Sequence, residues 1–377
     1  MTAESVSTGG NAADPAKTGR KKFAVGYFFP KPGGTFSEVM EPYLDRIAEV
    51  YHPWPGLLSA RQMHGDLSPM RTPLTMSLLW CRKHGLQLDL LLNATCYGDD
   101  TATLKQRDAI VGELRRMDAI GVFPDIVTTT SPFAAKVIRD AFPQVELRAS
   151  VNMRLDSTLA IEYLGDLFDS FYICRDLQRD LDTLKLFGEW AAAHGKKLCM
   201  LANSGCLRNC PWQVYHETLL SHRFEAVVRE CDALDMPSVL CAKIYRAQMF
   251  EEVLRGSWIR PEDLHRYEPH VSVIKLSTRD ALLNQRSIMR AYTSGSWDGD
   301  LLELIDPSFP PRLRGFAFDN SAFPPEWSQG TIAGKCASDC THCGRCTEVL
   351  KKVLKPLAKP EPPTRPAIGQ GLHFTIK

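Results

Sequence analysis

The stretch KLCMLANSGCLRNCP, Lys197–Pro211, decides how this sequence folds. Its first part, LCMLAN, is a short apolar run typical of a strand that is buried on both faces. The run ends directly in Asn203-Ser204-Gly205, and two cysteines and a proline follow within a few residues. In α/β folds the carboxyl ends of parallel strands carry the chemistry. We therefore expect polar and thiol groups from this stretch to lie at a functional strand end.

Similar apolar runs alternate with helical patterns along the chain, which predicts parallel strands joined by right-handed crossovers. Eight such units fit an α/β fold of the (β/α)8 TIM-like barrel type. The predicted strands are Phe23–Phe29, Leu88–Thr95, Asp125–Thr130, Leu147–Met153, Ser170–Arg175, the LCMLAN run, either Ser238–Tyr245 or Ser257–Ile259 as the seventh, and His270–Ser277 as the eighth. The predicted helices are Ser37–Tyr51, Thr103–Ile120, Pro132–Phe142, Ser157–Leu164, Leu177–His194, Val214–His222, Arg279–Tyr292 and Thr347–Leu357, and His52–Pro73 is predicted to be a loop.

The barrel interpretation is favoured over a doubly wound open sheet because no glycine-rich phosphate fingerprint follows the first predicted strand. Around the barrel, assigned to residues 23–305, the composition changes. Residues 1–22 are small and polar, which predicts a disordered leader. Residues 306–358 form a cysteine-rich C-terminal extension with a metal-binding motif, and residues 359–377 form a proline-rich tail.

The overall composition excludes several classes of protein. The chain has 377 residues, a formal net charge of +1 and no apolar run long enough to span a membrane. The near-zero charge argues against a protein that coats nucleic acid. The N-terminus lacks the apolar core of a secretory signal, so we expect a cytoplasmic protein. Its twelve cysteines are then predicted to be reduced and to serve metal binding or catalysis.

The strongest metal-binding signal is CASDCTHCGRC, which places four cysteines within eleven residues. Four thiolates at such short spacings can surround one metal centre, either zinc or an iron–sulfur cluster. The serial two-residue spacings favour a 4Fe–4S cluster, since zinc sites more often separate two cysteine pairs by a longer loop. The predicted ligands are Cys336, Cys340, Cys343 and Cys346.

A second group of cysteines surrounds the predicted mouth of the barrel. Cys206 and Cys210 lie in the turn after the LCMLAN strand, with Cys231 as the third candidate ligand and Cys241 as the fourth. This group is predicted to hold another cluster, so the chain would carry one or two. Cys96 and Cys174 fall at strand ends and are alternatives for the missing ligand, whereas Cys81 and Cys199 are predicted to be core residues.

Polar side chains follow most of the predicted strands, as an active site at the mouth of a barrel requires. The candidate catalytic residues are Asn93, Asn152, Arg154, Asn203, Lys275 and Arg279 at strand ends, and His216 and His222 on the helix after the cysteine turn. Lys275 and Arg279 form a cationic pair that suits a carboxylate substrate. Neither HExxH nor GxSxG is present, so the sequence shows no ready hydrolytic motif.

Several of these segments resemble one protein family. NSGCLRNCP with the downstream histidines, SWIRPEDLHRYE at Ser257–Glu268, VIKLSTR at Val273–Arg279 and SVNMRL at Ser150–Leu155 are similar to the peptidase U32, or collagenase-like, family. The resemblance spans about residues 23–304 and implies a barrel-like catalytic domain. The resemblance also implies that several branches of this family are iron–sulfur proteins. They support oxygen-independent hydroxylation of ubiquinone precursors or RNA bases, with prephenate as the oxygen donor. By that likeness Cys206, Cys210 and Cys231 are cluster ligands.

The leading hypothesis is therefore an iron–sulfur oxidoreductase that modifies a small-molecule or peptide substrate and receives electrons from a donor or a related partner subunit. An RNA substrate stays open as an alternative. Two hypotheses from other classes compete with it. One is a U32-type protease, and the other is a non-catalytic electron-transfer subunit that acts through Cys336–Cys346. A carrier would not need polar side chains gathered at the barrel mouth, so the arrangement of the mouth separates the two classes.

Overall fold

The computed structural model describes residues 22–60, 68–222, 240–279, 284–306, 313, 315–325, 327 and 340–357. Eight parallel strands pair in chain order, and the last pairs with the first, so the sheet closes into a barrel. The predicted (β/α)8 TIM-like fold is confirmed. The barrel strands are β1 Phe23–Gly26, β2 Ile47–His52, β3 Gln87–Leu92, β4 Ile126–Thr129, β5 Glu146–Ala149, β6 Ser170–Tyr172, β7 Lys197–Leu201 and β8 Val273–Leu276.

Helices surround this barrel and continue beyond it. None of the helices in the described parts of the chain is long and apolar enough to cross a membrane. The α-helices are α1 Phe36–Met40, α2 Ser68–Lys83, α3 Leu104–Ala119, α4 Pro132–Ala141, α5 Thr158–Glu162, α6 Leu181–Ala193, α7 Gln213–Leu220, α8 Leu240–Arg246, α9 Glu251–Arg255, α10 Gln285–Ser294, α11 Cys340–Cys343 and α12 Arg345–Val353. Short 3-10 helices cover Glu41–Tyr43, Gly98–Asp100, Val151–Met153, Gly165–Leu167, Pro261–Arg266, Glu268–His270, Leu301–Leu304 and Asn320–Ala322.

The predicted helix Ser37–Tyr51 is wrong in its second half. Helix α1 ends at Met40, a 3-10 turn follows, and β2 begins at Ile47. Pro42 lies where the helix would have continued, and proline removes a helical hydrogen bond and clashes with the preceding turn. Strand β2 pairs with both β1 and β3 and completes the barrel near its start.

Both candidates for a seventh strand are also wrong. The strand missing from the prediction is β2, and with it the barrel has its eight strands. Within Ser238–Tyr245, the described residues begin helix α8, and Ser257–Ile259 is irregular chain that runs past the end of β7. There the Ile259 amide donates to the Ala202 carbonyl at 2.8 Å. The predicted loop His52–Pro73 ends early, since α2 begins at Ser68. The leader and the tail lie outside the described residues, apart from Lys22.

The barrel interior contains an apolar set and an ionic set of side chains. Cys199 belongs to the interior, and Cys81 to the layer between barrel and helices, and both are fully buried as predicted. The interior apolar set is Ala24, Tyr51, Leu91, Val151, Tyr172, Cys199 and Val273. The ionic set is Glu49, Asp89 and Arg148, with Lys275 above it, and each is at most 8% exposed.

The C-terminal segment packs against the outside of the barrel. Strand β9, Phe316–Phe318, pairs in antiparallel register with β10, Leu354–Pro356, and α12 packs on α9. Glu262, from the IRPEDL sequence, holds part of this segment. Its Oε1 accepts from the Trp297 amide at 2.7 Å and from Asn320 Nδ2 at 2.8 Å, and its Oε2 lies 3.3 Å from Arg260 Nη2. This motif therefore has a structural role in the fold.

The Glu262→Gln variant is expected to lower the free energy of unfolding by about 1 kcal/mol. The amide oxygen can still accept from Trp297 and Asn320, but the amide nitrogen faces Arg260 with a donor where an acceptor stood. Urea unfolding measures the change, and Asp182→Asn in the exposed first turn of α6 is the control. An unchanged urea midpoint would show that the Arg260 contact contributes nothing to stability.

Candidate functional site

The carboxyl ends of the eight strands meet at one face of the barrel, which we call the mouth. Polar residues follow each of the strands on which they were predicted. Asn152 and Arg154 come after β5, Arg175 after β6, and Asn203 after β7. The structure thus brings together the segments that carry the predicted site residues.

A hydrogen-bonded network crosses this mouth. Arg175 Nη2 donates to Asn152 Oδ1 at 2.8 Å, and its Nη1 donates to Glu217 Oε1 at 2.7 Å. Gln213 Nε2 also donates to Glu217 Oε1, at 3.1 Å. Burial alone would lower the pKa of Arg175, but the neighbouring Cys206 and Glu217 raise it overall. Arg175 is therefore a fixed cation at the end of β6.

Two hydrogen bonds anchor the C-terminal half of helix α7 at the mouth. Glu217 ties it to β6 through Arg175, and the Thr95 amide, after β3, donates to Ser221 Oγ at 2.9 Å. Strands β3 and β6 are not neighbours in the barrel. The C-terminal half of α7 therefore joins the ends of two separate strands. His216 is half-buried on α7, and His222 is exposed just after it.

Three cysteines gather beside the network. Cys206 and Cys210 lie in the turn after β7, and Cys174 follows β6, where its thiol lies 3.8 Å from Asp176 Oδ2. Burial raises the pKa of Cys210, and the neighbouring Cys206 and Asp176 raise it further while Arg154 lowers it. Burial also raises the pKa of Cys174, against the attraction of two neighbouring arginines.

The turn that carries these thiols is fixed by Asp176. Its Oδ1 accepts from the Asn209 amide at 2.9 Å, and its Oδ2 lies 3.8 Å from Arg154 Nη2. Arg154 has left-handed backbone angles, φ 57° and ψ 44°, which are uncommon for a residue with a side chain. Such strain is often found at functional sites, where it holds a side chain in place.

Metal-ligating groups are incomplete in the described part of the chain. Among these residues, no three His, Cys, Asp or Glu side chains lie close enough to hold a metal ion. Cys231 lies outside the described residues, and Cys241 is half-buried on α8. The described residues alone therefore form no complete metal site at the mouth.

The C-terminal cysteines lie on the segment that packs against α9. Cys340 and Cys343 are exposed on α11, and Cys346 is half-buried on α12. Arg255 Nη2 donates to the Cys340 carbonyl at 3.3 Å. Cys336 lies outside the described residues. The three described thiols are thus presented outside the barrel wall.

The three asparagines predicted as catalytic make hydrogen bonds to backbone or to a neighbouring side chain. Asn203 Nδ2 donates to the Ser277 and Leu304 carbonyls at 3.1 and 2.9 Å, and its Oδ1 accepts from the Ser277 amide at 2.6 Å. Both amide hydrogens of Asn203 are therefore used by backbone. Asn93 Oδ1 accepts from the Ala60 amide at 3.1 Å, which holds the chain after β2. Asn152 supports Arg175.

Lys275 and Arg279 lie together over one aromatic ring. Lys275 Nζ is 3.9 Å from the centroid of the Tyr51 ring, and Arg279 Cζ is 5.6 Å from the same centroid. Lys275 Nζ also lies 5.3 Å from the Tyr172 ring. Burial lowers the pKa of Lys275 to about 8, opposed by Asp89 and assisted by Arg279. The predicted cationic pair is present as a pair.

Below Lys275 lies a buried ionic layer that the sequence analysis missed. Arg148 makes two hydrogen bonds to Glu49, and its Nη2 donates to Glu146 at 2.9 Å. Asp89 accepts from Thr128 Oγ1 at 2.8 Å and lies 3.8 Å from Arg148 Nη1. Single charged residues inside apolar strands, as in QLDLLL and ELRA, were the available signal. Side chains two residues apart along a strand point to the same face, so the position of each charged residue predicts which face it occupies.

The chain is similar to known proteins both in sequence and in structure. No protein-family model matches the chain. Over 288 residues it is 28% identical to a protein named uncharacterized protease MJ1657 from Methanocaldococcus jannaschii, with 75% of this chain and 81% of that protein covered. Among solved structures, the U32 peptidase Mk0906 aligns with a TM-score of 0.49 at 11% identity, over 74% of this chain and 97% of that chain.

A further solved structure, a thermostable mutant of the xylanase Xyn10A from Cellvibrio japonicus, aligns with a TM-score of 0.38 at 12% identity, over 70% of this chain and 87% of that chain. The sequence relative is the more informative comparison, because it is 28% identical to this chain whereas the two solved structures are 11% and 12% identical. The chain is thus similar over most of its length to a protein that is named as a protease.

Proposed function

We propose that this chain is a U32-like enzyme that holds an iron–sulfur cluster at the barrel mouth and carries out a redox modification of a small-molecule or peptide substrate. The observation that carries the proposal is the placement of Cys206 and Cys210 in one turn at the mouth, beside Arg154 and Arg175. The resemblance of the NSGCLRNCP and VIKLSTR segments to the U32 family supports it. The similarity to a protein named as a protease is compatible with the same family.

The chemistry of the donor set fits such a cluster. Iron–sulfur clusters are held by cysteine thiolates. Burial raises the pKa of Cys210, and the attraction of Arg154 opposes that rise. Cys206 and Cys210 would supply two ligands, and Cys231 and Cys241 are the proposed third and fourth, with Cys174 as an alternative beside them. A bound 4Fe–4S cluster would supply one-electron transfer.

The surrounding residues have roles that do not depend on the cluster. Helix α7, anchored by Glu217 and Ser221, joins the ends of β6 and β3 at the mouth. Lys275 and Arg279 would bind an anionic substrate group, since fixed cations pair well with carboxylates. Oxygen-independent hydroxylation, with prephenate as the oxygen donor, is the proposed reaction that needs both parts.

A second cluster is proposed at Cys336, Cys340, Cys343 and Cys346. The exposure of Cys340 and Cys343 suits a site that exchanges electrons with a donor protein or a related partner subunit. In the alternative where the chain is only an electron carrier, the polar mouth would have no use.

A peptide hydrolase is the second candidate function, favoured by the name of the sequence relative. It needs an activated nucleophile or a metal with an open coordination position. In the described residues, Ser277 Oγ donates to Asp306 Oδ2 at 2.7 Å, which is a serine–carboxylate contact. Hydrolysis of a peptide substrate by the metal-free protein would favour this function over the first.

The deciding measurement is iron, acid-labile sulfide and zinc per chain, with a visible spectrum, on anaerobically purified protein. We expect about four or about eight irons with equal sulfide, for one or two 4Fe–4S clusters. The Cys206→Ala and Cys343→Ala variants should each lose one cluster, about half of the iron of a two-cluster protein.

Cys81→Ala is the control for these variants, because Cys81 is a fully buried core residue that should leave the metal content unchanged. Zinc without iron, or neither metal, would contradict the redox proposal. Iron that is retained in Cys206→Ala and lost only in Cys343→Ala would restrict the cluster to the C-terminal segment and favour the electron-carrier alternative.

A further inference from the structure

Lys275 is a buried amine that forms no ion pair with a carboxylate in the described part of the chain. Its side chain points into the barrel from β8, and the residue is 8% exposed. Among the described residues its ammonium group makes no ion pair or hydrogen bond, and its closest aromatic neighbour is the Tyr51 ring at 3.9 Å. The nearby carboxylates are occupied: Glu49 binds Arg148, and both oxygens of Asp89 accept from Thr128.

A buried charge that lacks a partner is costly, and such groups cluster at functional sites. Desolvation and a neighbouring cation are the two conditions that keep a lysine neutral enough to act as a nucleophile. Both conditions hold here, since Lys275 and Arg279 lie over the same Tyr51 ring. A purely structural lysine would instead be expected to pair with an acid.

The Tyr172 hydroxyl is a second buried polar group close to Lys275. The Tyr172 hydroxyl is fully buried and has no hydrogen-bond partner in the described parts of the chain, and its ring lies 5.3 Å from Lys275 Nζ. By contrast, the Tyr51 hydroxyl donates to the Leu276 carbonyl at 2.9 Å and is fixed. An unsatisfied buried hydroxyl next to an unsatisfied amine indicates a place where a polar ligand is received.

We propose that Lys275 captures a carbonyl compound that carries a carboxylate, a 2-oxo acid in the simplest case, as a covalent imine, while Arg279 binds the carboxylate. This inference names a substrate class for the mouth of the proposed enzyme and rests on the proposed function only for that location. Arg279 suits the carboxylate because a guanidinium binds it through two parallel hydrogen bonds.

The step is balanced without a further reagent. The neutral amine nitrogen of Lys275 adds to the carbonyl carbon, and the resulting carbinolamine loses water. A C=N bond forms, the C=O bond breaks, and the carbonyl oxygen leaves with the two amine hydrogens as one water molecule. No oxidant or reductant takes part, so the reaction is independent of any cluster.

The test is reductive trapping on the full-length protein with pyruvate and sodium borohydride, followed by intact mass and peptide mapping. We expect one pyruvate-derived adduct per chain, located at Lys275. At pH 8 labelling should be at least about tenfold faster than at exposed lysines such as Lys136 on α4.

The pH profile gives an independent readout. The charged and titratable groups around Lys275 are Asp89, Glu49, Arg148 and Arg279, with the Tyr51 and Tyr172 rings against it. Together they place its pKa at about 8, so labelling should rise through pH 8 and then level off. Labelling that keeps rising toward pH 10.5 would indicate an ordinary lysine and overturn the inference.

Matched variants separate capture from simple anion binding. Lys275→Arg keeps the charge but cannot form an imine, and Lys275→Met removes an unpaired buried charge without harming the fold, so both should lose the adduct. Arg279→Gln should slow labelling by pyruvate at least about tenfold but leave labelling by propanal, which has no carboxylate, unchanged.

Two outcomes would overturn the inference. One is an adduct that is spread over surface lysines and persists in Lys275→Arg. The other is protection by propionate with no adduct at all, which would make the pair an anion site only. Iron content measured on the same samples keeps the two proposals apart, because a cluster-containing protein without an adduct would contradict only the imine.

Discussion

Replacing Arg148 with methionine is expected to lower the free energy of unfolding by about 3–5 kcal/mol, the cost of breaking a buried ion pair by removing one partner. Arg148 and Glu49 are each 1% exposed, and Asp89 is fully buried beside them. The variant leaves these carboxylates in the barrel interior without their cation. Urea unfolding at pH 8 measures the effect.

The same variant should depend on pH in a defined direction. Burial raises the pKa of Asp89 to about 7 against the attraction of Arg148, so losing Arg148 raises that pKa further. The folded variant then holds the Asp89 proton at pH values where the unfolded chain, with an aspartate pKa near 3.9, has released it. Its stability therefore falls as the pH rises, and the loss should be smaller at pH 5 than at pH 8.

Two controls make this prediction specific. Lys136→Met breaks an exposed pair with Asp140 on α4 and should change stability by less than about 0.5 kcal/mol. Adding Glu49→Leu to Arg148→Met removes an unpaired charge and should recover part of the loss. If Arg148→Met cost no more than Lys136→Met, water would have to reach the ionic layer.

The fold was predictable from sequence wherever strands are uniformly apolar. Parallel barrel strands are covered on both faces, so FAVG and KLCML read as buried runs, and alternation with helices then predicts the barrel. Strand β2 was missed because IAEVYH carries a glutamate and continues a helical spacing of apolar residues from α1. Two signals were available. Pro42 predicts the end of the helix, and the two-residue spacing of Glu49 and Tyr51 places both side chains on one face of a strand.

The site was predictable in position but less so in its contacts. Polar residues at strand ends must meet at one mouth in any parallel barrel, so Asn152, Arg154 and Lys275 were brought to one face as expected. Which of them is free for a substrate depends on neighbours that are distant in sequence. Asn203, for example, is used by the Leu304 carbonyl, and no local pattern could have indicated that contact.

Gly26, in strand β1, packs directly against Arg279, the residue proposed to bind the substrate carboxylate. A Cβ at this residue would lie 2.5 Å from Arg279 Cγ and 2.6 Å from Tyr51 Cζ. The Tyr51 ring is held by the Leu276 carbonyl, and the Gly26 amide donates to Thr278 Oγ1 at 2.7 Å, so neither the ring nor the Gly26 backbone can move freely. Arg279, as the most flexible partner, must then shift.

Gly26→Ala is therefore expected to cost about 3 kcal/mol of unfolding free energy, as overpacking of a filled interior does. It should also slow labelling of Lys275 by pyruvate at least about tenfold, because Arg279 no longer lies over Tyr51. The matched control is Gly112→Ala, which lies within α3 with open space around the added methyl group. That change should stabilise the protein by about 0.5–1 kcal/mol through helix propensity and leave labelling unaltered. Equal labelling in both variants would show that capture at Lys275 does not depend on the position of Arg279. Another residue would then have to bind the carboxylate.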